Sequence, residues 1–197
     1  MSLKKRWPDL LAAVAWALVA TFRLAAYLAK PAPLSAGQFL FVLIIMGLFV
    51  IRRPARAQGA TLTFWLAVVA TFLPALGLRP AETGLAGPGL ALQSGGLALM
   101  LLSIAFLNRS FGLAPAHRGL VTRGPYRLVR HPLYAGEIIA VTGYCLGFVS
   151  PSNWIVLALF ALATVGRIYA EERLLSVDED YRAYRQRVRW RLLPGAW

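Results

Sequence analysis

Apolar residues fall along the chain in six runs, 10–29, 37–51, 61–79, 89–107, 133–149 and 153–169, separated by short polar or basic breaks. A run of this kind predicts a helix, and most of the six are long enough to cross a hydrocarbon layer of ~30 Å. The second is short, and the third carries Pro74, which predicts a kink. Arg23 interrupts the first run, so its guanidinium must snorkel to the interface or face protein. The last two runs are parted only by Ser150, Pro151 and Ser152, which predicts a tight helical hairpin. The glycine-rich stretch 84–89 reads as a loop, since no strand precedes it to make a phosphate cradle. After residue 169 the pattern turns polar; Tyr181, Tyr184 and Val188 share one helical face, with arginines around the rest. The expectation is an all-α, polytopic membrane bundle of five or six spans with a C-terminal helical segment outside the bilayer. Membrane helices fill 1–107, and 108–197 completes one integrated domain.

Composition supports the same solvent. Hydrophobic residues make up 58% of the chain and charged residues 15%, where a soluble domain runs near a quarter charged. There are 21 Lys+Arg against 8 Asp+Glu, and in so apolar a chain that excess suits a membrane surface rather than nucleic acid. The bases also alternate in position. Lys4, Lys5 and Arg6, then Arg52, Arg53 and Arg56, then Arg109 to Arg130, then Arg173 onward fall on one side, and the opposite loops carry only Lys30 and Arg79. By the positive-inside rule that side is cytoplasmic, with both termini on it. The start lacks the pattern of a cleaved signal peptide. Lysine is confined to three positions in a chain rich in Ala, Leu and Arg, a composition that points to a GC-rich bacterial genome and hence to a bacterial inner (plasma) membrane. One cysteine, Cys145, and two histidines, His117 and His131, exclude an intramolecular disulfide and predict no metal site. Cys145 reads as a small packing residue. The expected partner is the bilayer itself, with no nucleic acid and no obligate protein partner.

Residues able to do chemistry concentrate in 117–136 and 167–194. In the first, Gly124-Pro125 marks a turn and Pro132 suits the first position of a helix, which leaves His131 at the helix start. A helix N-terminus presents backbone N–H groups to a carboxylate or ribose oxygen, while Tyr134 and Gly136 offer a hydroxyl and a place for close approach. In the second segment, Arg167 and Glu171 stand four apart on one face, next to Glu172. The two acids either neutralise nearby arginines or hold a cationic ligand. Glu137 either complements the helix dipole, pairs an arginine or touches a ligand.

The run His117-x-x-Leu120-Val121-x-x-Gly124-Pro125-Tyr126-Arg127-x-Val129-Arg130-His131-Pro132-x-Tyr134-x-Gly136, followed by Arg167-x-x-x-Glu171-Glu172 and Tyr181-x-x-Tyr184, resembles the isoprenylcysteine carboxyl methyltransferase family and the wider group that includes phospholipid N-methyltransferases. It departs from that pattern at Ser176-Val177 and at Arg189. The resemblance implies an integral membrane enzyme using S-adenosylmethionine. It implies cofactor contacts from His131, Tyr134 and Gly136 and from Glu171 or Glu172, with Arg167 near the methyl acceptor, and a methyltransferase region over 108–197; Tyr126 joins the expected cofactor contacts as an aromatic face, and Arg167 and Glu171 are the expected catalytic residues. Tyrosine faces suit a sulfonium, and carboxylates suit its amino group. The favoured reaction is methylation of the carboxylate of an isoprenylcysteine or another lipophilic acceptor arriving from the bilayer, oriented by Arg167. Methylation of a phospholipid ethanolamine headgroup is the alternative, with Glu171 or Glu172 taking the proton. A non-enzymatic membrane assembly factor, in which the acids merely pair Arg127 or Arg130, is the reading outside enzymes.

Overall fold

A computed structural model describes residues 7–29, 31–51, 72–107 and 120–197. Its helices are α1 (Trp7–Ala29), α2 (Pro33–Ile51), α3 (Ala86–Leu107), α4 (Pro132–Gly147), α5 (Pro151–Leu175) and α6 (Glu179–Arg187). Residues 72–77 are also helical, Gly124–Arg127 form a 3-10 turn, and no strand occurs among the described residues. The all-helical expectation holds. Two helices, α3 with 22 residues and α5 with 25, are long and apolar enough to cross a membrane. The apolar described parts of α1 and α2, Val14–Ala29 and Pro33–Ile44, are shorter. Most of the third run, the bases between 52 and 56 and the stretch 108–119 with His117 lie outside the described residues.

Proline sets several helix starts. Pro33, Pro132 and Pro151 open α2, α4 and α5, where the missing N–H is no loss and the fixed φ is already helical. Ser150 caps α5, its hydroxyl accepting from the Asn153 amide at 3.2 Å. Phe148, Val149 and Ser150 therefore form the link of the expected hairpin.

The loop reading of 84–89 needs correction, because α3 starts at Ala86 and takes up Gly87 and Gly89. The buried positions of α3, Gly89, Gln93, Gly96, Leu97, Met100 and Ser103, form one helical stripe facing α4. A β-carbon on Gly89 would stand 2.6 Å from the Gly147 amide, and one on Gly96 would stand 2.7 Å from the Gly136 carbonyl. Conversely, one on Gly143 would stand 2.7 Å from the Gly89 carbonyl. These contacts are too close for any side chain. Glycines seven apart on each helix, Gly89 with Gly96 and Gly136 with Gly143, thus let the two backbones touch. Close packing of this kind binds helices where lipid removes the hydrophobic drive.

Around that seam lie two packed clusters. One gathers Trp16, Phe41, Val42, Met100, Leu133, Tyr134 and Ile168, the other Leu34, Leu78, Tyr144, Cys145, Phe148 and Phe160. Cys145 is fully buried, as its apolar setting predicted. Of the two options open to Arg23, facing protein is the one realised. Its Nε donates to the Ala75 carbonyl, Nη2 to Pro74 at 2.9 Å and Nη1 to Leu78 at 3.2 Å. These carbonyls close the helical segment 72–77, where a cation is favoured.

The C-terminal part builds its own small core. Tyr181, Tyr184 and Val188 are buried together, with Leu175 against them. Asp178 caps α6, its Oδ1 accepting from the Asp180 amide at 2.9 Å.

Candidate functional site

The site forms where α4 begins and α5 ends. Gly124, at φ +61°, turns the chain into Pro125–Arg127. Tyr126 follows, buried, and its carbonyl accepts from the Tyr184 hydroxyl at 2.7 Å. Burial pushes both phenols well above the usual tyrosine value, so they remain protonated donors at neutral pH. The chain then extends through Arg130 and His131. Their amides donate to the carbonyls of Trp190 (2.8 Å) and Arg191 (2.9 Å), so the segment after α6 lies along the start of α4.

Glu172 is the hub of this arrangement. It is 4% exposed and accepts from Arg130 Nε at 2.7 Å, while His131 Nε2 stands 3.3 Å from the same oxygen. Its other oxygen accepts from Arg191, with Nε at 3.1 Å and Nη2 at 3.0 Å. Arg130 also donates through Nη1 to the carbonyls of Val188 (2.9 Å) and Arg189 (3.0 Å). Arg191 in turn lies 5.0 Å from the ring centres of both Tyr169 and Trp197. A carboxylate so enclosed is an acceptor for its own chain, and it ties three separate segments together. Buried ion pairs that are fully hydrogen-bonded are costly to break on one side only.

Glu171, one residue earlier, faces elsewhere. It is half-buried and accepts from the Tyr134 hydroxyl at 2.8 Å. The Tyr134 ring stacks on His131 with centroids 5.5 Å apart and planes at 4°, and Arg167 sits over it at 4.5 Å. One tyrosine is therefore bracketed by an imidazole, a guanidinium and a carboxylate. Arg167 and Glu171 are the charges that bear on Glu137, one turn further along α4 from Tyr134.

Of the residues expected at a site, His131, Tyr134, Arg167, Glu171 and Glu172 come together, and Tyr126 lies within electrostatic reach of Glu171. Gly136 does not join them. A β-carbon there would meet the Gly96 carbonyl at 2.8 Å and the Met100 amide at 2.9 Å, so its missing side chain serves the α3 seam. Two further residues, Arg130 and Arg191, belong to the cluster. Arg130 stood in the motif as a possible acid partner, whereas Arg191 had no signal beyond being one more arginine in an arginine-rich tail.

Residues 88–182 match a family model described as phospholipid methyltransferase. Over those residues, just under half of the chain, the protein is similar to that family. The family is related to the isoprenylcysteine carboxyl methyltransferases, so the motif resemblance and the match agree. No curated protein matches the chain. The match spans α3, α4 and α5 and thus holds the glycine seam, the Tyr134 bracket and both glutamates. The match suggests a methyltransferase, and together with the two long apolar helices it suggests a membrane protein.

Proposed function

We propose that the protein is an S-adenosylmethionine-dependent methyltransferase acting on a lipid-like acceptor that reaches the site from the bilayer. The start of α4, the end of α5 and both termini face the cytoplasm. The observation that carries the reading is the Tyr134 bracket inside the matched segment: aromatic faces, one guanidinium and a carboxylate held at fixed distances. This donor set suits a cofactor with a cationic centre, an amino group and a carboxylate. When bound, S-adenosylmethionine supplies a methyl group activated on a sulfonium.

The chain's own residues do the rest. His131 and Tyr134 present stacked faces, and Tyr126 borders them. Glu171 holds the Tyr134 hydroxyl and remains open to a ligand on its exposed side. Glu172 serves the cofactor indirectly by fixing Arg130, His131 and Arg191. Gly136 allows α3 to approach, which sets the position of Tyr134 on the other side of α4. Arg167 orients the acceptor. In an in-line methyl transfer, alignment and exclusion of water are the main contributions a protein makes.

Two acceptors fit. A carboxylate on an isoprenylcysteine or similar lipid needs only the orientation Arg167 offers, since it is already ionised at neutral pH. A phospholipid amine needs a proton acceptor, and the description of the matched family favours that second reading. The test is to supply methyl-labelled S-adenosylmethionine with bacterial lipid extract and treat the labelled product with base. Label released as methanol identifies a methyl ester, and label retained on the headgroup identifies an N-methyl product. No transfer, and no S-adenosylhomocysteine binding by the folded protein, would sink the reading in favour of the assembly factor.

A further inference from the structure

A threonine or serine inside a helix commonly returns its hydroxyl to the carbonyl four residues back. Four hydroxyls do so here: Thr21 to Ala17, Ser103 to Leu99, Thr142 to Ile138 and Ser176 to Glu172. Thr164 of α5 does not. It is 1% exposed, and its Oγ1 is buried with no hydrogen-bond partner among the described residues, the Phe160 carbonyl included. A hydroxyl buried without a bond is disfavoured unless a ligand group supplies one.

Its neighbours fix the face on which Thr164 lies. Phe160, four residues before, belongs to the cluster with Val141 and Tyr144 of α4, and Ile168, four residues after, to the cluster with Tyr134. Thr164 stands between those two levels on the same buried stripe of α5, which continues to Arg167. Arg167 is three residues on, about 4.5 Å further along the axis and on the same face. It is 3% exposed and lies over the Tyr134 ring at 4.5 Å. A buried hydroxyl thus sits one turn inward from a buried guanidinium. The cation repels an ammonium and attracts an anion, and the hydroxyl can donate beside it. That pair suits an oxyanion.

We propose that Thr164 is a substrate-binding residue that, with Arg167, receives an oxyanion carried by the lipid acceptor. The oxyanion is either the carboxylate of a prenylated cysteine, which is then the group methylated, or the phosphodiester of a phospholipid, which then holds the amine in reach. In both cases the Thr164 hydroxyl donates to an oxygen and keeps its proton. The assignment rests on the methyltransferase reading above.

The test compares the full-length wild type in nanodiscs with Thr164→Val, which removes the hydroxyl at nearly constant shape, and Thr164→Ser, which keeps it. Thr142→Val is the control, since that hydroxyl already has the Ile138 carbonyl at 2.7 Å. Thermal inactivation reads stability, calorimetry reads S-adenosylhomocysteine binding, and initial rates read KM and kcat with phosphatidylethanolamine and with N-acetyl-S-farnesylcysteine. A hydrogen bond to a charged group corresponds to about tenfold or more in affinity. Thr164→Val should therefore lower kcat/KM about tenfold while stability and cofactor affinity stay at the wild-type level. Thr164→Ser should recover most of the loss, and Thr142→Val should show none. The lipid on which the loss is read names the oxyanion: phosphatidylethanolamine assigns the phosphodiester, with the loss in KM because the phosphate does not react, and the farnesylcysteine assigns the carboxylate. Thr164→Ala also lacks the hydroxyl and carries the rate measurement should Thr164→Val not fold. Unchanged rates in Thr164→Val overturn the oxyanion role. So do a fall in its thermal stability, which marks a hydroxyl already bonded within the chain, and a fall in its cofactor affinity. A wild type that binds S-adenosylhomocysteine yet methylates neither lipid overturns it as well. A folded wild type that binds no S-adenosylhomocysteine defeats the methyltransferase reading itself.

Discussion

The two ends of the α4–α5 pair are built from different materials. At the link end, polar groups are neutral and answer to backbone. Asn153, fully buried, donates through Nδ2 to the carbonyls of Arg79 (2.9 Å) and Phe148 (2.7 Å) and accepts from the Arg79 amide at 2.9 Å. The Val149 amide donates to Thr83 and the Leu85 amide to Leu146, each at 2.8 Å. At the other end the partners are charged side chains and aromatic faces. A neutral amide exchanging hydrogen bonds with main chain is complete in itself. Charges gathered around aromatic rings are the kind of arrangement that suits a ligand. The same helices thus carry closure at one end and chemistry at the other.

The hardest blow to that comparison is Glu172→Ala. It leaves Arg130 and Arg191 without their carboxylate in a buried setting, and about 3–5 kcal/mol of stability should go with it. Thermal inactivation in detergent should show the loss, with S-adenosylhomocysteine binding lost in parallel. Next comes Gly143→Ala, which drives a methyl group into the α3 backbone at Gln93 and Gly89. Overpacking of this kind costs about 1–3 kcal/mol. Gly95→Ala, on the same helix as Gly96 but with nothing within 4 Å, should be neutral or better by about 1 kcal/mol. If both alanines are tolerated alike, the seam is not backbone on backbone.

Asn153→Ala strips the link end of its amide and leaves buried main-chain groups unpaired, at about 1–3 kcal/mol. It should lower thermal stability while the affinity for S-adenosylhomocysteine stays within about twofold of wild type. A large loss of affinity would show that the ends are coupled. The smallest destabilisation is expected from Tyr134→Phe, which removes only the hydroxyl bonded to Glu171, at about 1 kcal/mol. Methyl transfer should nevertheless fall, because Glu171 is then no longer held in place.

Hydropathy made the helices legible, and proline and the Ser150 cap made several of their starts legible too. The face formed by Tyr181, Tyr184 and Val188 was readable from spacing alone, because an amphipathic period needs no knowledge of the partner. The glycine seam was visible only in part. The spacing of seven was present in both α3 and α4, but neighbouring Gly87 and Gly95 share the composition without sharing the contact. Motif residues found each other because they cluster at two helix ends. Arg191 was not legible, since its partners Glu172, Tyr169 and Trp197 come from different parts of the chain. Nothing in a single sequence says which of many arginines will be drawn inward. Glu137 was visible as an acid at the head of an apolar run, but only the fold shows that it is buried.

The hub at Glu172 also has an order in time. Arg130 and His131 are made before Glu172 at the end of α5, and Val188, Arg189, Trp190 and Arg191, which close around them, are made after both. The apolar helices are therefore synthesised, and free to insert, before the group that holds these charges together exists. Biogenesis runs from a bundle toward a site, and translation of residues 188–191 is the step that converts one into the other.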